Sequence, residues 1–175
     1  MSQARYHGAD KLPKETHADY EARTWEQKAH VDAKTKQLFI PPMAIKKALD
    51  ASAKFTSKQI PGKGKATYTK HIKSGVLVAE PIMLNLTLSD VVCRKQMVDS
   101  TGGKGSAGGT RVERWFPDII EWEGTAEFLI FDDTVTKDVF VDALEEAGRF
   151  IGIGVFRPEN GGFYGRFEVV SVDWI

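Results

Sequence analysis

The sequence has almost no cysteine, since Cys93 is the only one among 175 residues. A single thiol excludes an intrachain disulfide and a zinc site built from several thiolates. The chain also lacks an apolar run of about 18 residues, the length that spans a bilayer. Its first ten residues do not have the pattern of a secretory signal. We therefore expect a soluble, intracellular protein without a membrane partner.

Residue patterns for catalysis or metal binding are missing as well. None of the four histidines has a histidine partner four residues away or a nearby cysteine: His7, His17, His30 and His71. The segment PGKGKATYTK fails the glycine and lysine spacing of a nucleotide-binding P-loop. The sequence therefore predicts no catalytic residue, no metal and no cofactor, with RNA cleavage by His71 as a remaining alternative.

Charge is balanced overall, with 24 basic and 24 acidic residues, but it is unevenly distributed along the chain. Residues 34–114 contain fifteen basic and five acidic side chains, a net charge of +10. Residues 115–148 contain ten acidic side chains and one basic one, a net charge of −9. This separation predicts a basic face and an acidic face after folding. An anionic polymer on the basic face, or head-to-tail contact between copies, would suit such a surface.

Two helices are predicted from the spacing of apolar residues. The first runs from about Pro42 to Phe55, where proline suits the first turn and an apolar stripe follows. The second lies in DDTVTKDVFVDALEEAG and is expected to end at Gly148, which would adopt a left-handed cap. Residues 1–36 are polar and predict an N-terminal arm with a short helix near residues 20–29. Residues 37–175 predict one domain.

Five further segments have the residue pattern of strands: GVLVAEPIMLNLTL, DVVCRKQMV, TRVERWFPDI, WEGTAEFLIF and YGRFEVVSVDW. The second and third are joined by DSTGGKGSAGG, which predicts a projecting glycine-rich β-hairpin. The order of these elements is that of an α+β protein. We expect a ferredoxin-like antiparallel sheet, as in RRM-like folds, with two main helices on one face and a basic loop.

The basic loop TSKQIPGKGKATYTKHIKS is the first candidate binding site. Its cations would neutralise the phosphates of a nucleic acid without reading bases: Lys58, Lys63, Lys65, Lys70, His71 and Lys73. The glycines predict that this loop is mobile. A loop that is merely solvated explains the same composition equally well.

The hairpin and the glycine-rich segment after the second helix are two further candidates. The hairpin would carry a basic surface made of Arg94, Lys95, Lys104, Arg111 and Arg114. The segment GRFIGIGVFRPENGGFYGRFEV would expose backbone amides to phosphates and add charge through Gly152, Gly154, Arg157 and Arg166. Close packing and turn formation would account for the same glycines, and a linker-like tip would account for the hairpin.

The order of these features resembles the RAMP superfamily, the ferredoxin-fold backbone and processing proteins of CRISPR RNA complexes. The resemblance lies in the helix ending in AG, the following glycine-rich loop, the GRF that begins the final strand, and LFIPPMAIKKAL. Residues 37–172 are similar, more closely, to a set of phage and prophage proteins. The likeness to the RAMP superfamily implies a RAMP-like core and contact with RNA backbone through Gly152, Gly154, Arg157 and residues 102–109. The likeness to phage proteins implies the cytoplasm of a bacterial host.

These features together favour a non-enzymatic, phage-type protein that binds single-stranded DNA or RNA and forms cooperative multimers. The alternative is a protein-interaction module, such as a phage inhibitor of a host defence complex of the CRISPR type, or an assembly subunit. The acidic residues between Asp118 and Glu146 are the basis of that alternative, because they could occupy the nucleic-acid site of a partner.

Overall fold

The computed structural model describes residues 9–99 and 111–175. The tip of the predicted hairpin, including Lys104, lies outside them. The chain divides into two compact units, each described by itself below. The first contains the described residues of Met1–Phe39 and Met83–Gly124, and the second contains Ile40–Ile82 and Thr125–Ile175. The sequence-based boundary at residue 36 stays a prediction.

The described residues form these elements in chain order: α1 (His17–Thr24), β1 (Phe39–Ile40), α2 (Pro42–Thr56), α3 (Thr69–Gly75), β2 (Val76–Val78), β3 (Ile82–Met83), β4 (Val92–Asp99), β5 (Arg111–Asp118), β6 (Phe128–Ile130) and α4 (Lys137–Glu146). A π-helical turn at Ala147–Ile151 follows α4. Short 3-10 turns lie at Trp25–Lys28, Leu88–Asp90 and Pro158–Asn160. The predicted α+β class is confirmed.

The first unit is organised around the hairpin of β4 and β5. The two strands pair antiparallel from Val92 opposite Asp118 to Asp99 opposite Arg111, which confirms the predicted strand pair. Helix α1 and the 3-10 turn after it pack against β5. The helix begins at His17 because the Thr16 side chain accepts a hydrogen bond from the Asp19 amide, at 3.2 Å. This start lies three residues before the predicted one.

The second unit contains the two longest of the described helices, α2 and α4, and a small sheet. The predicted helix from Pro42 is confirmed, and it ends at Thr56. Its buried face has helical spacing and is formed by Ile45, Ala48, Leu49, Ser52 and Ala53. Strands β2 and β6 pair antiparallel in the same unit, so that Val76 lies opposite Ile130 and Val78 opposite Phe128.

Helix α4 is confirmed, but Gly148 does not cap it. The chain continues into the π-helical turn, and a positive φ, of 71°, first occurs at Gly152. Gly148 is needed for space, because a Cβ atom there would lie 2.0 Å from the Phe167 carbonyl oxygen. Helix-ending glycines are commonly left-handed, but close packing of another segment selects glycine equally well.

The predicted ferredoxin-like sheet is not seen among the described residues, whose strands form three separate antiparallel pairs: β1 with β3, β2 with β6, and β4 with β5. The predicted final strand at residues 164–174 belongs to none of them. Its first residues are tied to the preceding loop by hydrogen bonds such as Tyr164 N–H to Phe156 O, at 3.0 Å. Exposed and half-buried residues alternate along this segment, as they do in a strand, although the segment pairs with no strand among the described residues.

Each unit brings together basic and acidic parts of the sequence. In the second unit, residues 40–82 contain eight basic and two acidic side chains, whereas residues 125–175 contain four basic and ten acidic ones. The two segments therefore cancel to zero net charge within one unit. The +10 of residues 34–114 does not become one uniformly basic body, and local surfaces have to be considered instead.

Candidate nucleic-acid interface

The strongest local concentration of positive charge lies between the end of α2 and the end of α3. We call residues 54–73 the basic segment. It contains no acidic residue, and all six of its lysine side chains are exposed: Lys54, Lys58, Lys63, Lys65, Lys70 and Lys73. Lys54 lies in the last turn of α2, and Lys70 and Lys73 belong to α3. Five of the six lysines are those expected from the sequence as phosphate contacts. The sixth, Lys54, is exposed in the same segment.

The loop inside the basic segment is closed by backbone hydrogen bonds, in contrast to the mobile loop that its glycines suggest. The Ile60 amide donates to Ala66 O at 2.8 Å, and the Tyr68 amide donates to Lys58 O at 3.1 Å. The Ile60 side chain is buried and anchors the turn. Lys63 and Lys65 are therefore presented from a defined tip.

Two side chains of the basic segment, Lys58 and His71, already have acidic partners. Lys58 Nζ lies 3.1 Å from Asp142 Oδ2 and 3.3 Å from Glu146 Oε1, and its hydrogen bond to Asp142 raises the pKa of Lys58. His71 Nδ1 donates to Asp132 Oδ2 at 2.7 Å, and this bond, together with hydrogen bonds from Thr134, lowers the pKa of Asp132 to about 2. These two side chains hold the segment against residues 132–146 of the same unit.

The other lysines of the basic segment are differently placed. Within the described ranges, the ammonium groups of Lys54, Lys63, Lys65, Lys70 and Lys73 have no hydrogen-bond or ion-pair partner. Five such groups on a short, acid-free stretch create a positive potential that attracts phosphates. This is the surface that the geometry makes most suitable for a polyanion.

The expected cations of the hairpin lie in the first unit, where three of them contact neighbouring side chains. Arg94 Nε donates to Asp118 Oδ2 at 2.7 Å. Arg114 Nη1 donates to Glu21 Oε1 at 2.7 Å, and Lys95 Nζ lies 3.9 Å from the centroid of the Trp115 ring. Arg111 is exposed and lies at the start of β5, opposite Asp99 of β4. Arg114 is thus part of the contact between α1 and β5.

The glycine-rich loop mainly satisfies its own polar groups. Gly152 is buried, and its amide donates to Ala147 O at 2.7 Å, whereas Gly154 is exposed. The guanidinium of Arg157 donates to Glu159 Oε2 at 2.8 Å and to Gly154 O at 3.0 Å. Arg166 remains exposed and donates to the carbonyl oxygens of Arg149 and Phe163. Of this group, Arg166 offers the most accessible charge.

An aromatic pair on the second unit was not expected as a pair. The rings of Phe55 and Phe150 have centroids 5.6 Å apart, and both side chains are exposed. One signal in the sequence could have indicated it, since Phe55 lies seven residues after Ala48 and therefore on the same helical face. Its partner, on a turn nearly a hundred residues later, depends on the fold.

A scan against protein-family models, a search of curated proteins and a search of solved structures each found no match. Within the described residues, no group of three or more histidine, cysteine, aspartate or glutamate side chains could hold a metal ion. Across the same ranges, every helix is too short or too polar to cross a bilayer.

Proposed function

We propose that this protein binds nucleic acid without acting on it chemically, and that the basic segment contacts the phosphate backbone. The observation that carries the proposal is a set of five exposed lysines that have no acidic partner in the part of the chain that the structure describes, within a segment that contains no acid. Lysine ammonium groups neutralise phosphates without reading bases, so we expect binding that tolerates many sequences.

Single-stranded DNA or RNA is the form of nucleic acid that we propose. Exposed phenyl rings lie in the same unit as the basic segment, and such rings stack on bases that a duplex keeps inside its helix. The resemblance to RAMP proteins is not needed for this proposal, because it rests on exposed charge and exposed rings. Cooperative multimers on the strand, in a bacterial host, remain part of the hypothesis.

The test compares two variants with the same change in net charge. In one, Lys63, Lys65, Lys70 and Lys73 are replaced by glutamine. In the matched control, the replaced residues are four exposed lysines of the first unit, Lys11, Lys14, Lys34 and Lys36. Fluorescence anisotropy with labelled single-stranded DNA and RNA at low salt measures the dissociation constants.

We expect the first variant to bind at least roughly tenfold more weakly than the unmodified chain, because four phosphate contacts are lost. The control variant should bind within about twofold of the unmodified chain, since its lysines lie outside the basic segment. Equal weakening in both variants would contradict a defined site. The absence of binding by the unmodified chain at micromolar concentration would overturn the proposal.

A second candidate function, a protein-interaction module, is favoured by one observation. Leu77 on β2 and Leu129 on β6 are paired across the strands, and they are 48% and 40% exposed. Their neighbours Val76 and Val78 point to the buried side of this sheet. Sedimentation velocity of the chain alone, with Leu77→Glu for comparison, tests this candidate. A species larger than the monomer that Leu77→Glu dissociates would support it, and a monomer throughout would count against self-association.

A further inference from the structure

The surface of the second unit presents two phenyl rings side by side. Phe55 is 66% exposed and Phe150 is 44% exposed, although large apolar side chains are normally buried. Their ring planes are inclined by 37°. Phenyl rings have no polar group that would draw them to water, so a pair of them on the surface suggests an apolar or aromatic ligand.

Small side chains hold together the two elements that carry these rings. On α2, Ala48 packs against Ala147 and Ile151 of the π-helical turn. Alanine at both contact positions lets the helix and the turn approach closely. The turn buries Ala147, Gly148 and Ile151 and leaves Arg149 and Phe150 on its outer side. Short π-helical turns of this kind are often found at functional sites.

Basic residues lie near the pair. Lys54 precedes Phe55 on α2 and is exposed. The guanidinium carbon of Arg149 lies 5.9 Å from the centroid of the Phe150 ring. Arg166 Nε donates to the Arg149 carbonyl oxygen at 3.3 Å, which places a second guanidinium beside the backbone of the turn that carries Phe150. An aromatic surface with cations at its edge is complementary to a base with its flanking phosphates.

We propose that Phe55 and Phe150 form a stacking platform for an unpaired base of single-stranded nucleic acid. Arg149, Arg166 and Lys54 contact the phosphates on either side of that base. This inference rests on the proposed function and adds a base-dependent contact to the charge contacts of the basic segment. Phenyl rings stack on any base, so the platform selects single strands over duplexes and not one sequence over another.

The experiment compares three probes of equal length, about 15 nucleotides, which covers the site size of typical single-strand binders. They are oligothymidylate, an abasic oligonucleotide with the same phosphates, and a duplex. The affinity for each probe is measured with three proteins: the unmodified full chain, the Phe55→Leu variant, and the control variant Phe131→Leu. Phe131 is 70% exposed and precedes two aspartates, so it is a matched exposed phenylalanine outside the pair.

We expect the unmodified chain to bind oligothymidylate roughly 5- to 150-fold more tightly than the abasic probe. Phe55→Leu should lose most of this difference while its affinity for the abasic probe stays unchanged, and Phe131→Leu should retain the difference. A role of Phe55 that is only structural would not produce this dependence on bases. Because Phe55 is largely exposed, leucine there should not disturb folding, which thermal unfolding checks.

Two results would overturn the inference, and they are distinguishable. If oligothymidylate and the abasic probe bind equally well to the unmodified chain, the platform is absent and the phosphate-binding proposal survives. If neither probe binds, the proposed function itself fails, and the platform fails with it. Equal affinity for duplex and single strand would likewise count against stacking.

Discussion

Arg114 Nη1 donates a hydrogen bond of 2.7 Å to Glu21 Oε1, although the two residues are 93 positions apart in the chain. Glu21 is completely buried, and its other oxygen accepts hydrogen bonds from Lys28 Nζ at 2.6 Å and from the Trp115 amide at 2.9 Å. Burial acts to raise the pKa of Glu21, but these hydrogen bonds outweigh it, so the pKa lies below its ordinary value. The carboxylate thus joins α1 to the hairpin.

Replacement of Glu21 by alanine should destabilise the first unit strongly. The change leaves two cations and a backbone amide without their acceptor, and breaking a buried ion pair in this way costs about 3 kcal/mol or more. Urea unfolding followed by tryptophan fluorescence measures the loss. Glu26→Ala is the control, because Glu26 lies exposed on the following turn and should change stability by less than about 0.5 kcal/mol. Similar effects of both substitutions would contradict the role given to Glu21.

Local signals in the sequence predict the helices well and the long-range contacts poorly. The apolar spacing that predicts α2 and the apolar spacing that predicts α4 each involve only residues close together in the chain. Both helices are therefore found where the sequence predicts them. Nothing near Glu21 indicates that a carboxylate will be buried under a strand beginning ninety residues later. The pairing of strands also depends on distant residues. The sequence pattern could therefore predict individual strands but not their partners, and the described ranges do not show the expected sheet.

In the candidate site, too, the sequence predicts local features and not long-range contacts. The lysines of the basic segment could be found by counting charge, since no acidic residue interrupts them. Which of them are neutralised depends on the fold, because Asp142 and Glu146 reach Lys58 from a helix far along the chain. The aromatic pair likewise joins Phe55 to a turn whose position depends on long-range packing, including that of Ala48 against Ala147 and Ile151.

Lys46 should contribute to stability, whereas its neighbour Lys47 should not. Lys46 is buried, and its Nζ donates to Asp50 Oδ1 at 2.6 Å and to the carbonyl oxygens of Ile72 and Lys73 at the end of α3. Lys46→Met removes these bonds and leaves the carbonyl groups unsatisfied, at a cost of about 2 kcal/mol. Lys47 is exposed, so Lys47→Met should stay within about 0.5 kcal/mol of the unmodified chain. Thermal and urea unfolding of both variants decide between these outcomes.

Gly148→Ala should destabilise the second unit because it forces Phe167 away from the π-helical turn. The added Cβ atom would lie 2.0 Å from the Phe167 carbonyl oxygen, and overpacking of this kind costs about 1–3 kcal/mol. Gly154→Ala serves for comparison, since its Cβ atom meets nothing within 4 Å and only its positive φ is unfavourable. We expect the larger loss at Gly148. If Gly154→Ala is the more destabilising change, the close approach of Phe167 is not what requires glycine.

The hydrogen bond between His71 and Asp132 should make stability depend on acid pH. Donation by His71, together with hydrogen bonds from Thr134, lowers the pKa of Asp132 from 3.8 to about 2 in the folded protein. A carboxyl group whose pKa is lower in the folded state stabilises that state above its unfolded pKa, and the contribution disappears as pH falls from about 4 to about 2. The unmodified chain should therefore lose more stability over this range than Asp132→Asn. Urea midpoints between pH 5 and pH 2 test this, with Asp133→Asn expected to behave like the unmodified chain.

The salt dependence of binding should report how many lysines of the basic segment contact phosphates. For single strands, the logarithm of the binding constant falls with the logarithm of the salt concentration by about 0.7 for each phosphate neutralised. Replacing Lys63, Lys65, Lys70 and Lys73 by glutamine should therefore reduce this slope by about 3 if every one of them contacts a phosphate. The control variant at Lys11, Lys14, Lys34 and Lys36 should keep the original slope, since those lysines lie in the first unit. A slope that falls equally in both variants would mean that the overall charge of the chain, and not the basic segment, holds the polymer.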